Sequence, residues 1–423
     1  MTTVQEDMLQ RYADVILRVG LSLQAGQQLV IRALLEAAPL VRSIAARAYQ
    51  LGSPLVTVIW ADEYLDLLRL RHAPRNTFGE FPGWVMDGLA NRLKRGDAYL
   101  QIAGETPDLL GAEDPGAKSE MSKAFWASYK PVMALQDDNT VTWSVVSAAT
   151  VGWATKVFPA LAHDAALHQL WEAIFDLCRL RDHDPVGAWL RHLQDLSARC
   201  HYLNRKQYSS LRYSSPHTDL SVALPDGHLW LGGSTVSKAN VSFTPNLPTE
   251  EVFTCPHFGR VSGTVVSTRP LSYMGTTVEG IALTFSEGKV THASAARGED
   301  VLRGLLETDQ GSCRLGEVAL VPRSSPVAKS QLIFHNTLFD ENAASHLALG
   351  QGYKSCIGGA PNLTDPEFEG LGGNVSSIHV DFMIGADELA IDGVLPSGSS
   401  EPVMRNGDWA FSPEGARGSP TTR

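Results

Sequence analysis

Apolar residues Met8, Leu9, Tyr12, Val15, Ile16 and Val19 recur at helical spacing and stop at Gly20, which predicts an opening helix with a glycine end. The pattern then shortens. Gln28 to Arg32 (QLVIR) has the length and composition of a buried strand, and the Ala-rich run from Ala37 to Leu51 predicts a helix ending at Gly52. Leu55 to Trp60 (LVTVIW) predicts a second strand, a helix follows around Pro82 to Arg95, and Asp97 to Ala103 (DAYLQIA) predicts a third strand. Strands alternating with helices favour a mainly parallel sheet flanked by helices. His163 to Asn204 reads as largely helical.

From about Gln207 the texture changes. Gly, Ser, Thr and Pro become frequent, and short alternating runs replace the long helices. Leu220 to Leu224, Val261 to Val266, Val278 to Phe285 and Ser377 to Met383 predict strands. The expected fold class is therefore α/β: an N-terminal α/β domain with a mainly parallel sheet over 1–205, then a C-terminal α+β domain with a mixed sheet over 206–423. The Pro-, Gly- and Ser-rich end from Phe411 to Arg423 is expected to be poorly ordered.

Composition narrows the function. A chain of 423 residues has room for two cores, and 43% apolar content with a mean hydropathy of −0.08 is that of an ordinary globular protein. No run approaches the roughly 18 apolar residues that span a bilayer, so no membrane partner is expected. MTTVQED at the start has neither the basic nor the apolar region of a signal peptide, which makes the cytoplasm the expected location. The five cysteines are scattered and form no C-x-x-C pair, which argues for reduced thiols and against thiolate zinc. With 35 basic against 46 acidic residues the net charge is −11, a surface that repels phosphate backbones and disfavours nucleic acid. The chain also lacks a phosphate-binding G-x-x-x-x-G-K-[ST] loop, an H-E-x-x-H helix and a G-x-S-x-G elbow.

Four segments of the second half concentrate acids and histidines beside turn residues: PTEEVFT (248–254), LGEVA (315–319), NTLFDENAASHLALGQGY (336–353) and SIHVDFM (377–383). On a strand, His379 and Asp381 project to one side while Val380 and Phe382 face the other. Such a pair can grip a metal ion, or can simply satisfy itself as a buried hydrogen-bonded pair. Asp340 is placed to cap a helix starting near Glu341 and carrying His346. Five helical residues turn through about 140°, so the two share no face centre. Taken without context, an acid favouring the helix dipole beside a surface histidine explains them better. Glu251 and Glu317 each follow a turn and precede apolar residues, which suits a cleft rim but also any solvated acid. Tyr353, after Gly350 and Gly352, is in isolation a core aromatic.

As a set, these segments resemble the M29 family of metallopeptidases, the aminopeptidase T and aminopeptidase S group. The matching stretches are LPTEEVFTCPH (247–257), GSCRLGEVALVP (311–322), FHNTLFDENAASHLALGQGY (334–353) and SSIHVDFMIG (376–385). PVMRNGDWAF (402–411), LPDGHLWLGG (224–233) and, more weakly, GQQLVIRALLEAAPLVRSIAARAYQLG (26–52) extend the resemblance over nearly the whole chain. Cys255 stands where a hydroxyl residue is more usual, and Ser214 to His217 replaces a glycine-rich turn.

The resemblance implies an aminopeptidase acting on short peptides, with two divalent ions held by Glu251, Glu317, Glu341, His346, His379 and Asp381. Zinc, cobalt or manganese would suit these nitrogen and oxygen ligands. Four carboxylates offset the four charges of such a pair, and Glu317 is the expected bridge. Tyr353 falls on the family's catalytic tyrosine, with Glu251 or Glu317 expected to shuttle the proton and Tyr353 to stabilise the oxyanion. A homodimer enclosing the site is also implied, with the N-terminal domain serving dimerisation and access. A ring-cleaving dioxygenase with a single iron, on a related fold, is the competing expectation.

Overall fold

The computed structural model describes residues 3–273, 276–359 and 363–413. The chain divides into two units, one of Met1–Arg191 with Ser234–Pro248, the other of His192–Gly233 with Thr249–Arg423. The division falls inside the helix Pro185–Lys206, ahead of the change of texture at 205. No helix among the described residues is long and apolar enough to cross a membrane.

In the first unit, four strands form a parallel sheet in the order Val56–Ala61, Leu29–Leu34, Ala98–Ala103, Trp143–Ser147. Leu29–Leu34 and Ala98–Ala103 lie in the middle, covered on both faces, which is why each is apolar at every position but one, Arg32 and Gln101, and does not alternate. Val56–Ala61 is an edge strand and is only half-buried. The helices Ala38–Gln50, Gly83–Leu93 and Pro115–Asp137 connect the strands. Met86, Leu89, Leu93, Tyr129 and Val132 pack on Val30 and Tyr99 of the sheet. The segment 234–248 returns to this unit at the far side of Trp143–Ser147, where the Val145 N–H donates to Pro245 and the Leu247 N–H to Val145 (2.7 and 3.0 Å).

The second unit holds two larger antiparallel sheets and a two-stranded ribbon of Leu271–Tyr273 with Thr276–Val278. The larger runs in the order 289–294, 282–286, 261–266, 218–223, 210–215, 390–394, 400–405, 408–409. The smaller runs His379–Met383, His346–Gly350, Leu315–Leu320, Val252–Thr254. One apolar core joins Leu211, Tyr213, Leu220 and Val222 of the larger sheet to Val318, Leu320, Leu347, Leu349, Val380 and Phe382 of the smaller. The single strand expected over 278–285 is two, Thr276–Val278 and Ala282–Ser286, because Gly280 (φ +63°) turns the chain between them.

The expected disorder from Phe411 does not hold at its start. Phe411 stacks on Tyr202 with ring centroids 3.9 Å apart. Residues 414–423 lie outside the described ones.

Candidate metal centre

The smaller sheet has one face in the apolar core, so period-2 alternation dedicates the other face to chemistry. Its register pairs Glu317 with Ala348 and Ala348 with Asp381, Ala319 with His346, and Gly350 with His379. Directly paired residues project to the same face, so Glu317, His346, His379 and Asp381 share that face with Ala319, Ala348 and Gly350. Alternation adds Phe253 and, just ahead of its strand, Glu251. Long polar side chains therefore stand over a floor of small ones.

Two glycines shape this floor. At Gly350 (φ +103°) a Cβ would lie 2.1 Å from the Ile378 carbonyl oxygen, and at Gly316 one would meet the carbonyls of Gly350 and Gln351 at 2.3 Å. Gly316 is the extra residue of a bulge between Leu315 and Glu317, which sets the face on which Glu317 emerges.

The helix expected to carry His346 is absent. Glu341–Ala343 is one 3-10 turn, Ala344 is extended (φ −160°, ψ 150°), and His346 opens a strand paired on both sides. Leu and Ala are good helix formers, but two flanking strands offering a full ladder override that preference. Asp340 does not cap a following helix either. Its carboxylate accepts the Phe334 and Asn336 N–H groups (2.8 and 3.0 Å), closing the preceding turn.

Five of the six acids and histidines converge in two groups of ligand atoms, and Glu341 lies in neither. Glu251, Glu317 and His346 bring ligand atoms within 4.8 Å of one another, as do Glu317, His379 and Asp381, so Glu317 belongs to both groups. His346 Nε2 lies 3.2 Å from Glu251 Oε2, and His379 Nε2 lies 3.0 Å from Glu317 Oε2 and 3.4 Å from Asp381 Oδ1. Glu341, on its 3-10 turn, interacts electrostatically with Glu251, Asp381, His346 and Glu317. Tyr353 follows the His346 strand, and its hydroxyl is 3.3 Å from His379 Nε2. Its ring packs edge-on against Phe253 at 5.6 Å and stays 40% exposed.

Each imidazole is fixed from behind. His346 Nδ1–H donates to the Ala344 carbonyl (3.1 Å) and His379 Nδ1–H to the Gln351 carbonyl (2.7 Å). Carbonyls only accept, so both Nε2 atoms are left to face the carboxylates, the tautomer suited to a metal ligand.

The electrostatics are those of a site short of positive charge. Burial, with Glu251, Asp381 and Glu317 nearby, holds Glu341 well above the ordinary carboxylate range. Burial also raises Glu317, although His379 opposes it. Burial alone would lower His346, but Glu251, then Asp381 and Glu317, reverse this and push it up to about 10. Glu251 Oε2 and Asp381 Oδ1 are buried without a hydrogen bond of good geometry. Four buried carboxylates, two oriented imidazoles and orphaned oxygens at the centre are a donor set that fits divalent cations.

Sequence reading missed the residues that support this set. Asn342 accepts the Glu250 N–H on Oδ1 (2.6 Å) and donates from Nδ2 to the Leu338 carbonyl (2.8 Å), tying the turn of Glu251 to that of Glu341. Asp309 accepts hydrogen bonds from Ser376 Oγ and from Ser377 N–H and Oγ (2.8, 2.7 and 2.6 Å), anchoring the loop that leads into the His379 strand. Asn342 lies within a matched stretch and could have been picked out there. Asp309 carried no signal, since its partners are 67 and 68 residues away.

Known proteins resemble the chain over nearly its whole length. Residues 5–409 match the family described as thermophilic metalloprotease (M29). Aminopeptidase 2 of Geobacillus stearothermophilus is 46% identical over 409 residues, 96% of this chain and 98% of that protein. Aminopeptidase T of Thermus thermophilus is 43% identical over 401 residues, 95% and 98% of the two chains. The solved structure of wild-type AmpT from Thermus thermophilus superposes with a TM-score of 0.91 at 42% identity, covering 96% of this chain and 99% of that one. A 2,5-dihydroxypyridine dioxygenase from Pseudomonas putida KT2440 superposes with a TM-score of 0.52 over 99% of this chain and all of that one, at 14% identity, a likeness of fold alone.

Proposed function

The chain belongs to the thermophilic metalloprotease (M29) family and is a metal-dependent aminopeptidase, and from that premise we propose that it removes N-terminal residues from short peptides with two divalent ions. The ligands are Glu251, Glu317, Glu341, His346, His379 and Asp381. The observation that carries the reading is Glu317, which belongs to both three-residue groups and so is the carboxylate suited to bridge two ions. Bound ions would supply Lewis-acid polarisation of the scissile carbonyl and a water of lowered pKa. Zinc, cobalt and manganese all suit the donor set.

The chain's own residues do the rest. The Gln351 and Ala344 carbonyls hold both imidazoles in register, so the ligands need not reorganise during turnover. Glu251 or Glu317 accepts the proton of the attacking water and returns it to the leaving amine. The Tyr353 hydroxyl donates to the oxygen on which negative charge develops.

The same reading includes a homodimer in the cytoplasm. Large apolar side chains exposed on the first unit, Trp84 at 76% and Leu65 at 61%, support the dimer. Among the described residues no cysteine is in a disulfide and most are buried, in keeping with a reducing compartment. Sedimentation equilibrium tests the dimer directly.

The deciding experiment strips the protein with chelator, restores single divalent metals, and follows release of N-terminal residues from a peptide panel. Two ions per chain with restored release support the reading. One iron per chain with cleavage of a dihydroxypyridine would replace it with the oxygenase.

A further inference from the structure

Glu250 and Glu251 are adjacent acids of one type, both buried, yet they face different partners. Successive side chains along extended backbone point to opposite sides. Glu251 joins Phe253 on the face of the ligands, and its Oε2 lies 3.2 Å from His346 Nε2. Glu250 goes with Val252, and its Oε2 lies 3.5 Å from His192 Nε2. A shift of register by one residue would exchange the two acids. Residues 249–251 precede the strand Val252–Thr254, so ladder pairing does not hold them.

The contacts that hold this stretch come from outside the sheet. His192 belongs to the helix Pro185–Lys206, and its Nε2 is 2.7 Å from the Thr249 carbonyl oxygen. A carbonyl only accepts, so Nε2 carries the proton. One N–H therefore donates to the Thr249 carbonyl and stands beside the Glu250 carboxylate. Two glycines bring the pieces this close. A Cβ on Gly232 would lie 2.5 Å from the Glu251 carbonyl oxygen, and one on Gly233 would meet Leu193 and Leu196 of the helix at 3.0 and 3.2 Å. A buried carboxylate is drawn to a hydrogen-bond donor or to positive charge. His192 supplies a donor on the side of Glu250, so that acid has no need to turn toward cations.

We propose that His192 is a positioning residue that assigns these two acids. By holding the Thr249 carbonyl and presenting its N–H to Glu250, it keeps Glu250 against the helix and leaves Glu251 to the ions. It acts through the stretch Thr249 to Glu251. This rests on the two-ion reading, because Glu251 needs a fixed place only as a ligand.

The test compares H192N and H192Q in the whole chain, stripped with chelator and titrated with zinc against a chromophoric chelator. A Gln amide nitrogen can stand where Nε2 stands, whereas the shorter Asn amide falls short of the Thr249 carbonyl. H192N should lose about 10–100-fold in affinity at one of two sites, the range for loss of a ligand's supporting partner, while H192Q binds within about threefold of the parent. A merely structural role would lower the melting temperature and leave the zinc affinity of folded protein unchanged. H192N binding zinc like the parent would overturn the proposal, and so would H192Q binding as weakly as H192N. Should H192N not fold, H192L, which also lacks the donor, is read by the same criterion. A parent chain that takes up fewer than two zinc ions would instead overturn the two-ion reading.

Discussion

Glu317 and Asp381 stand in one transverse row of the smaller sheet with Ala348 between them. Both carboxylates therefore rise on either side of a single methyl group, and the space above that methyl is where the two proposed ions would sit. Ala348 is fully buried and its strand is paired on both sides, so it cannot yield by moving. Ala348→Leu should leave the protein folded, at a cost of about 1–3 kcal/mol for overpacking, while lowering bound metal below one ion per chain and turnover by about 100-fold or more. Elemental analysis beside kcat checks this. Two ions and full turnover in that variant would mean that the row is not the floor of the centre.

Glu317 differs from the other acids in belonging to both ligand groups. Glu317→Gln should therefore cost more metal than Glu251→Gln, which touches one group, and its activity should fall by about 10³-fold. Titration of each stripped variant with zinc would show one site lost in Glu251→Gln and both weakened in Glu317→Gln. Identical isotherms for the two variants would argue against a shared ligand.

Tyr353 keeps 40% of its surface exposed at the rim, while its hydroxyl reaches inward to within 3.3 Å of His379 Nε2. Tyr353→Phe should lower kcat by about 100-fold, within the range for loss of one oxyanion donor, with KM changed by less than about twofold. The melting temperature should stay within about 1 °C. A KM effect without a kcat effect would place the tyrosine in substrate binding.

Removing the ions should expose the charge imbalance as a pH dependence of stability. In the stripped protein Glu317 and Glu341 are raised by burial and neighbouring acids, and His346 is raised to about 10 by the net effect of its acids. A raised group stabilises the fold below its unfolded pKa, near 4.5 for these glutamates and 6.5 for the histidine. That contribution is lost as pH rises toward the folded value. All three act with the same sign, so the melting temperature of chelated protein should fall steadily from pH 6 to pH 9. Metal-loaded protein should show little slope over that range, because cations hold the acids ionised and the imidazoles neutral. Parallel scanning calorimetry with and without chelator measures the difference, and equal slopes would contradict it.

Much of this was legible in the chain, for reasons that differ by element. Leu29–Leu34 and Ala98–Ala103 were readable because central parallel strands are apolar at nearly every position. His379 and Asp381 could be assigned to one face because strand alternation is a local property. The strand of His346 was not legible, because HLALG has no β-branched residue and acquires its form from partners at 315–320 and 379–383. The helix Pro115–Asp137 escaped notice because its polar face is broad and Pro131 interrupts the pattern; its buried positions are Ala117, Tyr129, Val132 and Gln136. The return of 234–248 to the first unit was equally hidden, since local pattern does not say which sheet a short strand will join.

Asn342 lets the placement of the acids be tested without touching any of them. It is fully buried, and its amide spans from the Glu250 N–H to the Leu338 carbonyl. Asn342→Ala would leave both groups buried and short of these partners, a loss of about 1–3 kcal/mol for each. For domains of 150–250 residues 1 kcal/mol corresponds to about 2–4 °C, so a fall of roughly 4–24 °C in the melting temperature is expected. Asn342→Asp keeps the oxygen that accepts from Glu250 but loses the donor to Leu338 and adds a fifth negative charge near the acids. If Asn342 serves only packing, both variants should bind metal like the parent once folded. If it sets the spacing of Glu251 and Glu341, Asn342→Ala should weaken metal binding by about 10–100-fold, as loss of a ligand's supporting partner does. Asn342→Asp should then retain tighter binding than Asn342→Ala, because the Glu250 turn is still held. Metal affinities of the two folded variants, measured by competition with a chromophoric chelator, separate positioning from stability.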